Sequence, residues 1–159
     1  MEILEVNDHN KEVYLNLIQG YEAEFSSITK KKPDAKGLFA LDTHIGGSTR
    51  GFILYENGIP AGIAAIQVDP GGSREVCEFY VVPCYRGRSL GKRFAWYLWK
   101  LYPGNWQVKQ IEGADHASVF WRKAIEEFTL NRFEEDLYED AYWGKVTRQK
   151  FVSPLCPDS

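Results

Sequence analysis

Val81-Val82-Pro83-Cys84-Tyr85-Arg86-Gly87-Arg88-Ser89-Leu90-Gly91-Lys92-Arg93 is the stretch from which the rest of the sequence can be read. It follows an apolar run, Glu75–Val82, and at Pro83 the hydrophobic period changes. Leu90, Phe94, Tyr97, Leu98 and Leu101 fall at helical spacing, which predicts a helix beginning near Ser89 and ended by Pro103-Gly104. The first turn of such a helix has unpaired backbone N–H groups and the positive end of the helix dipole. Gly87 and Gly91 remove side chains where an anion would approach the backbone closely. Arg86, Arg88, Lys92 and Arg93 put four cations into eight residues around that point. The dipole disfavours cations there unless an anion joins them, and a pyrophosphate fits.

The bulk composition sets the frame for that ligand. A chain of 159 residues has the length of one ordinary domain, expected over 1–152 and followed by a polar, Pro-containing tail at 153–159. Its 44% hydrophobic and 26% charged content suits a globular protein, and the net charge of −3 argues against nucleic acid as a partner. No apolar run approaches the roughly 18–20 residues of a membrane span, so no membrane partner is expected. Acids stand in MEILEVNDHN where a signal peptide would have Lys or Arg, which reads as a cytoplasmic protein. Cys77, Cys84 and Cys156 lack CxxC spacing, and His9, His44 and His116 are scattered. Neither set implies a disulfide framework or a metal.

Outward from the loop, the periods alternate between two and 3.6. Met1–Val6 reads as a short strand. Tyr14, Leu17, Ile18, Tyr21 and Phe25 mark a helix with Asn7 or Asp8 as its N-cap, and Ser26–Lys36 reads as a loop. The Lys30-Lys31-Lys32 run reads as solvated surface, or as the rim of an active-site mouth. Gly51–Glu56 and Ile59–Val68 flank Asn57-Gly58, a strong hairpin signal, and Glu75–Val82 adds a third strand. Trp106–Ile111 alternates as a strand. Ala117, Phe120, Trp121, Ala124, Ile125 and Phe128 define another helix, and strands at about Arg132–Tyr138 and Tyr142–Val152 close the chain. The order β-α-β-β-β-α-β-α-β-β describes an α+β fold, a mixed and mostly antiparallel sheet with helices on both faces.

Arg86-Gly87-Arg88-Ser89-Leu90-Gly91 resembles the Gln/Arg-x-x-Gly-x-Gly/Ala signature of the GNAT (GCN5-related N-acetyltransferase) superfamily. As in that family, a strand ending Val-x-Pro-x-Tyr precedes it. Glu78-Phe79-Tyr80-Val81 to Gly91, Pro103-Gly104-Asn105-Trp106-Gln107-Val108 and Ala117 to Ile125 are similar to one bacterial subgroup of predicted acetyltransferases. The resemblance implies acetyl-CoA as co-substrate, an amine as acceptor, direct transfer between them, and no metal. It implies that backbone groups of Val81 and Val82 pair with the pantetheine arm along a splayed fourth strand. Backbone N–H groups of Arg86, Gly87, Arg88, Ser89, Leu90, Gly91 and Lys92 would hold the pyrophosphate. The sequence departs from the family at three places. Ser89 replaces a glycine, Ala114 stands where Asn is common, and Trp121 stands where a Tyr serves as acid toward the CoA thiolate. Trp121 is thereby a cofactor contact without a proton to give. Many members are dimers, so the resemblance implies a homodimer.

Acetylating an amine requires removal of a proton from an ammonium. Strand alternation puts Glu75, Cys77, Phe79 and Val81 on one face and Val76, Glu78, Tyr80 and Val82 on the other. Glu75 matches the base position of histone-acetylating relatives. Glu78 lies deeper in an apolar strand, where an acid is costly unless paired or functional, and is the preferred of the two. The structural alternative for Glu78 is a buried salt bridge with an arginine. Tyr80 is a candidate proton donor or substrate contact, with core packing as its alternative. Asp115 reads as a helix cap. Glu134, Glu135, Asp136, Glu139 and Asp140 form a charged edge that would suit a cationic acceptor.

Overall fold

Tyr14, Ile18 and Glu22 are four residues apart, so one stripe of the first helix meets the core at each turn. In the computed structural model, which describes residues 1–155, that helix is α1 (Lys11–Thr29) and follows strand β1 (Glu2–Glu5). Then come β2 (Thr49–Glu56), β3 (Ile59–Val68), β4 (Arg74–Val81), a 3₁₀ turn at Pro83–Tyr85 and α2 (Leu90–Leu101). β5 (Gly104–Ile111), α3 (Asp115–Thr129), β6 (Phe133–Asp140) and β7 (Gly144–Ser153) complete the order. Each element expected from the periodicity is present. Residues 156–159, with Cys156 and most of the expected tail, lie outside the described residues.

The seven strands are ordered β1-β2-β3-β4-β5-β7-β6. β4 and β5 are parallel, with Arg74↔Trp106, Glu75↔Gln107 and Val76↔Val108 opposite one another. The β1/β2, β2/β3, β5/β7 and β6/β7 pairs are antiparallel. The chain forms two compact units, Met1–Gln67 with Cys77–Gly91, and Val68–Val76 with the residues from Lys92 onward.

In the first unit the core gathers Tyr14, Ile18, Ile53, Ile63 and Ala65, with Leu17, Tyr21, Cys77 and Tyr80 packed against them. The β2–β3 turn takes Asn57 at φ 52° and Gly58 at φ 76°, the pair of positive values that a type I′ hairpin requires. Helix α1 starts later than the sequence suggests. The Asn7 side chain first closes a turn, its Oδ1 accepting from His9 N at 2.8 Å and Asn10 N at 3.2 Å, so Asn10 becomes the N-cap. The helix also runs on to Thr29, because Ser26 and Ser27 return their hydroxyls to the carbonyls of Ala23 and Glu24. Asp115 is the first residue of α3 rather than its cap, a position held by Ala114.

The second unit is built on aromatic contacts. Trp99 is buried with its ring 4.8 Å from Phe151, 5.0 Å from Phe128 and 6.1 Å from Trp121, all tilted or edge-on. The Ser153 hydroxyl donates to the Trp99 carbonyl at 2.6 Å, so the last strand ends inside this core. Between β5 and β7, Gln110 and Gln149 exchange reciprocal amide hydrogen bonds at 2.7 and 3.0 Å while buried.

Candidate active site

The loop between β4 and α2 is exposed from Arg86 to Ser89. Gly87 has φ 82°, and Ser89, directly before α2, has φ 61°. Ser89 thus holds a left-handed conformation that suits glycine, the residue its signature position favours. Nothing lies within 4 Å of where a Cβ on Gly87 would be. Among the described residues, no acceptor pairs with the N–H groups of Gly87, Arg88 and Ser89. Donors, open space and the start of a 12-residue helix converge there, which fits the diphosphate of a CoA.

The cations around the loop divide. The Arg86 guanidinium turns back onto α1, forming a fork with Glu24 at 3.0 and 2.7 Å, and its Nε donates to the Val81 carbonyl at 2.9 Å. Lys92 pairs with Glu127 of α3 at 2.8 Å. Arg88 and Arg93 are exposed and make no ion pair among the described residues. The sequence counted four cations for an anion, but two of them are already matched by carboxylates. Val82 donates its N–H to Ala61 O at 2.8 Å, and its carbonyl accepts from Tyr85 N at 2.9 Å. Val81 is buried, Leu90 is buried, and Gly91 lies in the first turn of α2. Trp121 sits in the aromatic core of the second unit, its ring 4.9 Å from Phe120.

The two candidate bases have different surroundings. Glu75 accepts from Gln107 Nε2 at 3.2 Å and pairs with Lys109 at 3.2 Å. Lys109 also meets Asp140 at 2.8 Å and holds that carboxyl down to about 2. Glu75 therefore belongs to a satisfied ion-pair network. Glu78 is 3% exposed, and neither of its carboxylate oxygens has a hydrogen-bond partner. No arginine pairs with it. Burial pushes its carboxyl up to about 7; Thr43 beside it opposes the shift, and the charges of Glu22 and Asp42 add to it.

Around Glu78 stand groups that sequence reading did not bring together. Oxygens of Glu22, Asp42 and Glu78 lie within 4.8 Å of one another, the one carboxylate group at metal-ligand spacing among the described residues. Lys31 reaches into it, with Nζ 2.9 Å from Glu22 Oε2, 2.8 Å from Asp42 Oδ2 and 2.9 Å from Ala40 O. Burial works against that ammonium, yet its bonds to Asp42 and Glu22 hold it above the usual lysine range. Burial and the Glu78 charge raise the Tyr14 and Tyr21 phenols. The signal for Glu22 was present in the sequence: an acid on the Tyr14–Ile18 stripe of α1. Lys31 and Asp42 gave none, since both lie in or beside a loop.

Tyr80 packs between α1 and the loop. The Arg86 guanidinium stands 5.6 Å from its ring centroid and Tyr21 at 6.4 Å edge-on, and a Cβ on Gly20 would come within 2.9 Å of its hydroxyl. Trp143 is exposed in the β6–β7 turn with its ring 4.7 Å from Tyr142, unlike the buried Trp99 and Trp106.

No protein-family model and no curated protein matches the sequence. Solved structures do match the fold. The ribosomal-protein-S18-alanine N-acetyltransferase of Escherichia coli superposes with TM-score 0.62 at 14% identity, over 99% of this chain and 96% of that one. The spermidine N-acetyltransferase SpeG of Vibrio cholerae gives 0.62 at 11%, over 96% and 95%. The PaiA N-acetyltransferase of Thermoplasma acidophilum, solved with coenzyme A, gives 0.61 at 10%, over 95% and 100%. The chain has the GNAT acyl-CoA N-acyltransferase fold. No helix among the described residues is long and apolar enough to cross a membrane.

Proposed function

We propose that the protein is an N-acetyltransferase that moves the acetyl group of acetyl-CoA to a primary amine by direct transfer, its two units acting as one domain. The observation that carries this reading is the Gly87–Ser89 loop: free N–H donors, open space and positive φ values at the start of α2. Acetyl-CoA supplies an activated acyl group on a thiol leaving group. Gly87, Arg88 and Ser89 bind its diphosphate through the backbone, with the Arg88 and Arg93 charges nearby. The Arg86–Glu24 fork fixes the loop against α1 rather than touching ligand.

Glu78 is the general base. Its carboxyl, raised to about 7 by burial, is poised to accept a proton from an ammonium near neutral pH. Glu75, held by Lys109 and Gln107, is an electrostatic and structural group, and Tyr80 positions the loop. A second reading, an acyl-CoA-binding protein without turnover, is favoured by Trp121, which offers no phenol where an acid is common. Thiol release from acetyl-CoA across an amine panel, with a thermal shift on acetyl-CoA alone, separates the two. Turnover supports the enzyme, a shift without turnover supports the binding protein, and neither result removes both.

A further inference from the structure

Within the first unit, four buried polar atoms have no partner: Glu78 Oε1, Glu78 Oε2, Glu22 Oε1 and the Tyr14 hydroxyl. Tyr14 is 1% exposed and does not belong to the acidic group, yet its hydroxyl lies against Glu78. Buried acceptors are rarely left unpaired, because losing water without replacing its hydrogen bonds is costly. A proton on Glu78 would remove charge but make no bond, since no acceptor stands within reach. Lys31 does not supply the missing donors either, as its three N–H groups already meet Glu22 Oε2, Asp42 Oδ2 and Ala40 O. Three carboxylates thus face one ammonium.

We infer that this cluster binds a second alkylammonium, the amino group of a linear aliphatic acceptor, through Glu22 Oε1 and the Glu78 carboxylate. The inference rests on the acetyltransferase reading and names the class of its acceptor. The site already displays the chemistry: Lys31 is an alkylammonium on a four-carbon chain, held in the same group of acids. An ammonium nitrogen about 2.8 Å from each of two oxygens bridges a gap of up to roughly 5.6 Å, so the spacing within 4.8 Å suits it. A divalent metal would sit against the Lys31 ammonium with twice the repulsion of a second ammonium. The side chains of Lys31 and Asp42 are 21% and 16% exposed, so the cluster meets solvent at that end. On transfer, the ammonium proton passes to Glu78, the amine lone pair forms the new C–N bond, and the thioester C–S bond breaks with the pair going to sulfur.

The test is calorimetric titration of the whole protein, without acetyl-CoA, using n-pentylammonium chloride with n-pentanol as a neutral control. The expected result is one bound pentylammonium, no bound pentanol, and about tenfold weaker binding in Glu22→Gln and Glu78→Gln. Equal binding of both probes, no binding of either, or one bound Ca²⁺ or Mn²⁺ lost in the same variants would overturn it. The wild-type comparison stands even where a variant fails to fold. In turnover, Glu22→Gln should raise the KM for pentylamine about tenfold and leave kcat within about threefold. If amines are acetylated but Glu22→Gln leaves every KM unchanged, the site fails and the acetyltransferase reading survives. If pentylammonium binds but no amine is acetylated, that reading fails and the site survives.

Discussion

At the residue scale Glu78 and Ser89 are both held against their preferences. The Glu78 carboxyl rises from an ordinary 4.5 to about 7 on folding, so between those values the folded chain binds the extra proton. Its contribution to stability is therefore full below about pH 4.5 and is lost as pH rises to about 7. By the size of the shift the loss is at most about 3 kcal/mol. Urea unfolding across this window should show falling stability in the wild type and a flatter profile in Glu78→Gln. The same titration predicts that kcat/KM rises with pH through about 7, and that Glu78→Gln loses about a hundredfold or more of it together with the rising limb. Ser89 at φ 61° stores strain that glycine does not. Ser89→Gly should leave stability equal or up to about 1 kcal/mol higher with acetyl-CoA affinity retained, whereas Ser89→Val should cost about 1–2 kcal/mol. Thermal unfolding distinguishes these outcomes.

At the scale of elements, side chains tie strands and helices together within each unit. The buried Gln110–Gln149 pair joins β5 to β7, and Gln149 also donates to Glu135 of β6 at 2.8 Å. Gln149→Leu strands the Gln110 amide, so a loss of about 1–3 kcal/mol is expected. The double change Gln110→Leu with Gln149→Leu should cost less than the two single changes added, because no amide is then left unpaired. A double-mutant cycle in urea measures this. The α1–loop fork of Arg86 and Glu24 is half-exposed, so its value lies in orienting the loop more than in stability.

For the whole molecule, ligand linkage is the accessible test. Acetyl-CoA at a hundred times its Kd should stabilise the chain by about 2.7 kcal/mol. The effect should weaken with added salt, because exposed Arg88 and Arg93 provide screened attraction while the net charge of −3 opposes an anion. The order of strands and helices was legible in the sequence, since burial on one face of a helix or strand leaves a period that local residues display. The loop was legible for the same reason: a helix start and a Gly87 turn are local matters. The candidate base was legible only as a choice, Glu75 or Glu78, because alternation tells which residues share a face and not what lies opposite. Packing decided that Glu75 meets Lys109 and that Glu78 meets no partner. It also drew Lys31, read as surface, into the acids of Glu22 and Asp42. The sequence by itself determined the elements and the anion-binding turn, which depend on neighbours along the chain. Only the tertiary structure decided the charge environment of Glu78, because that depends on groups distant in sequence and on the water that their packing removes.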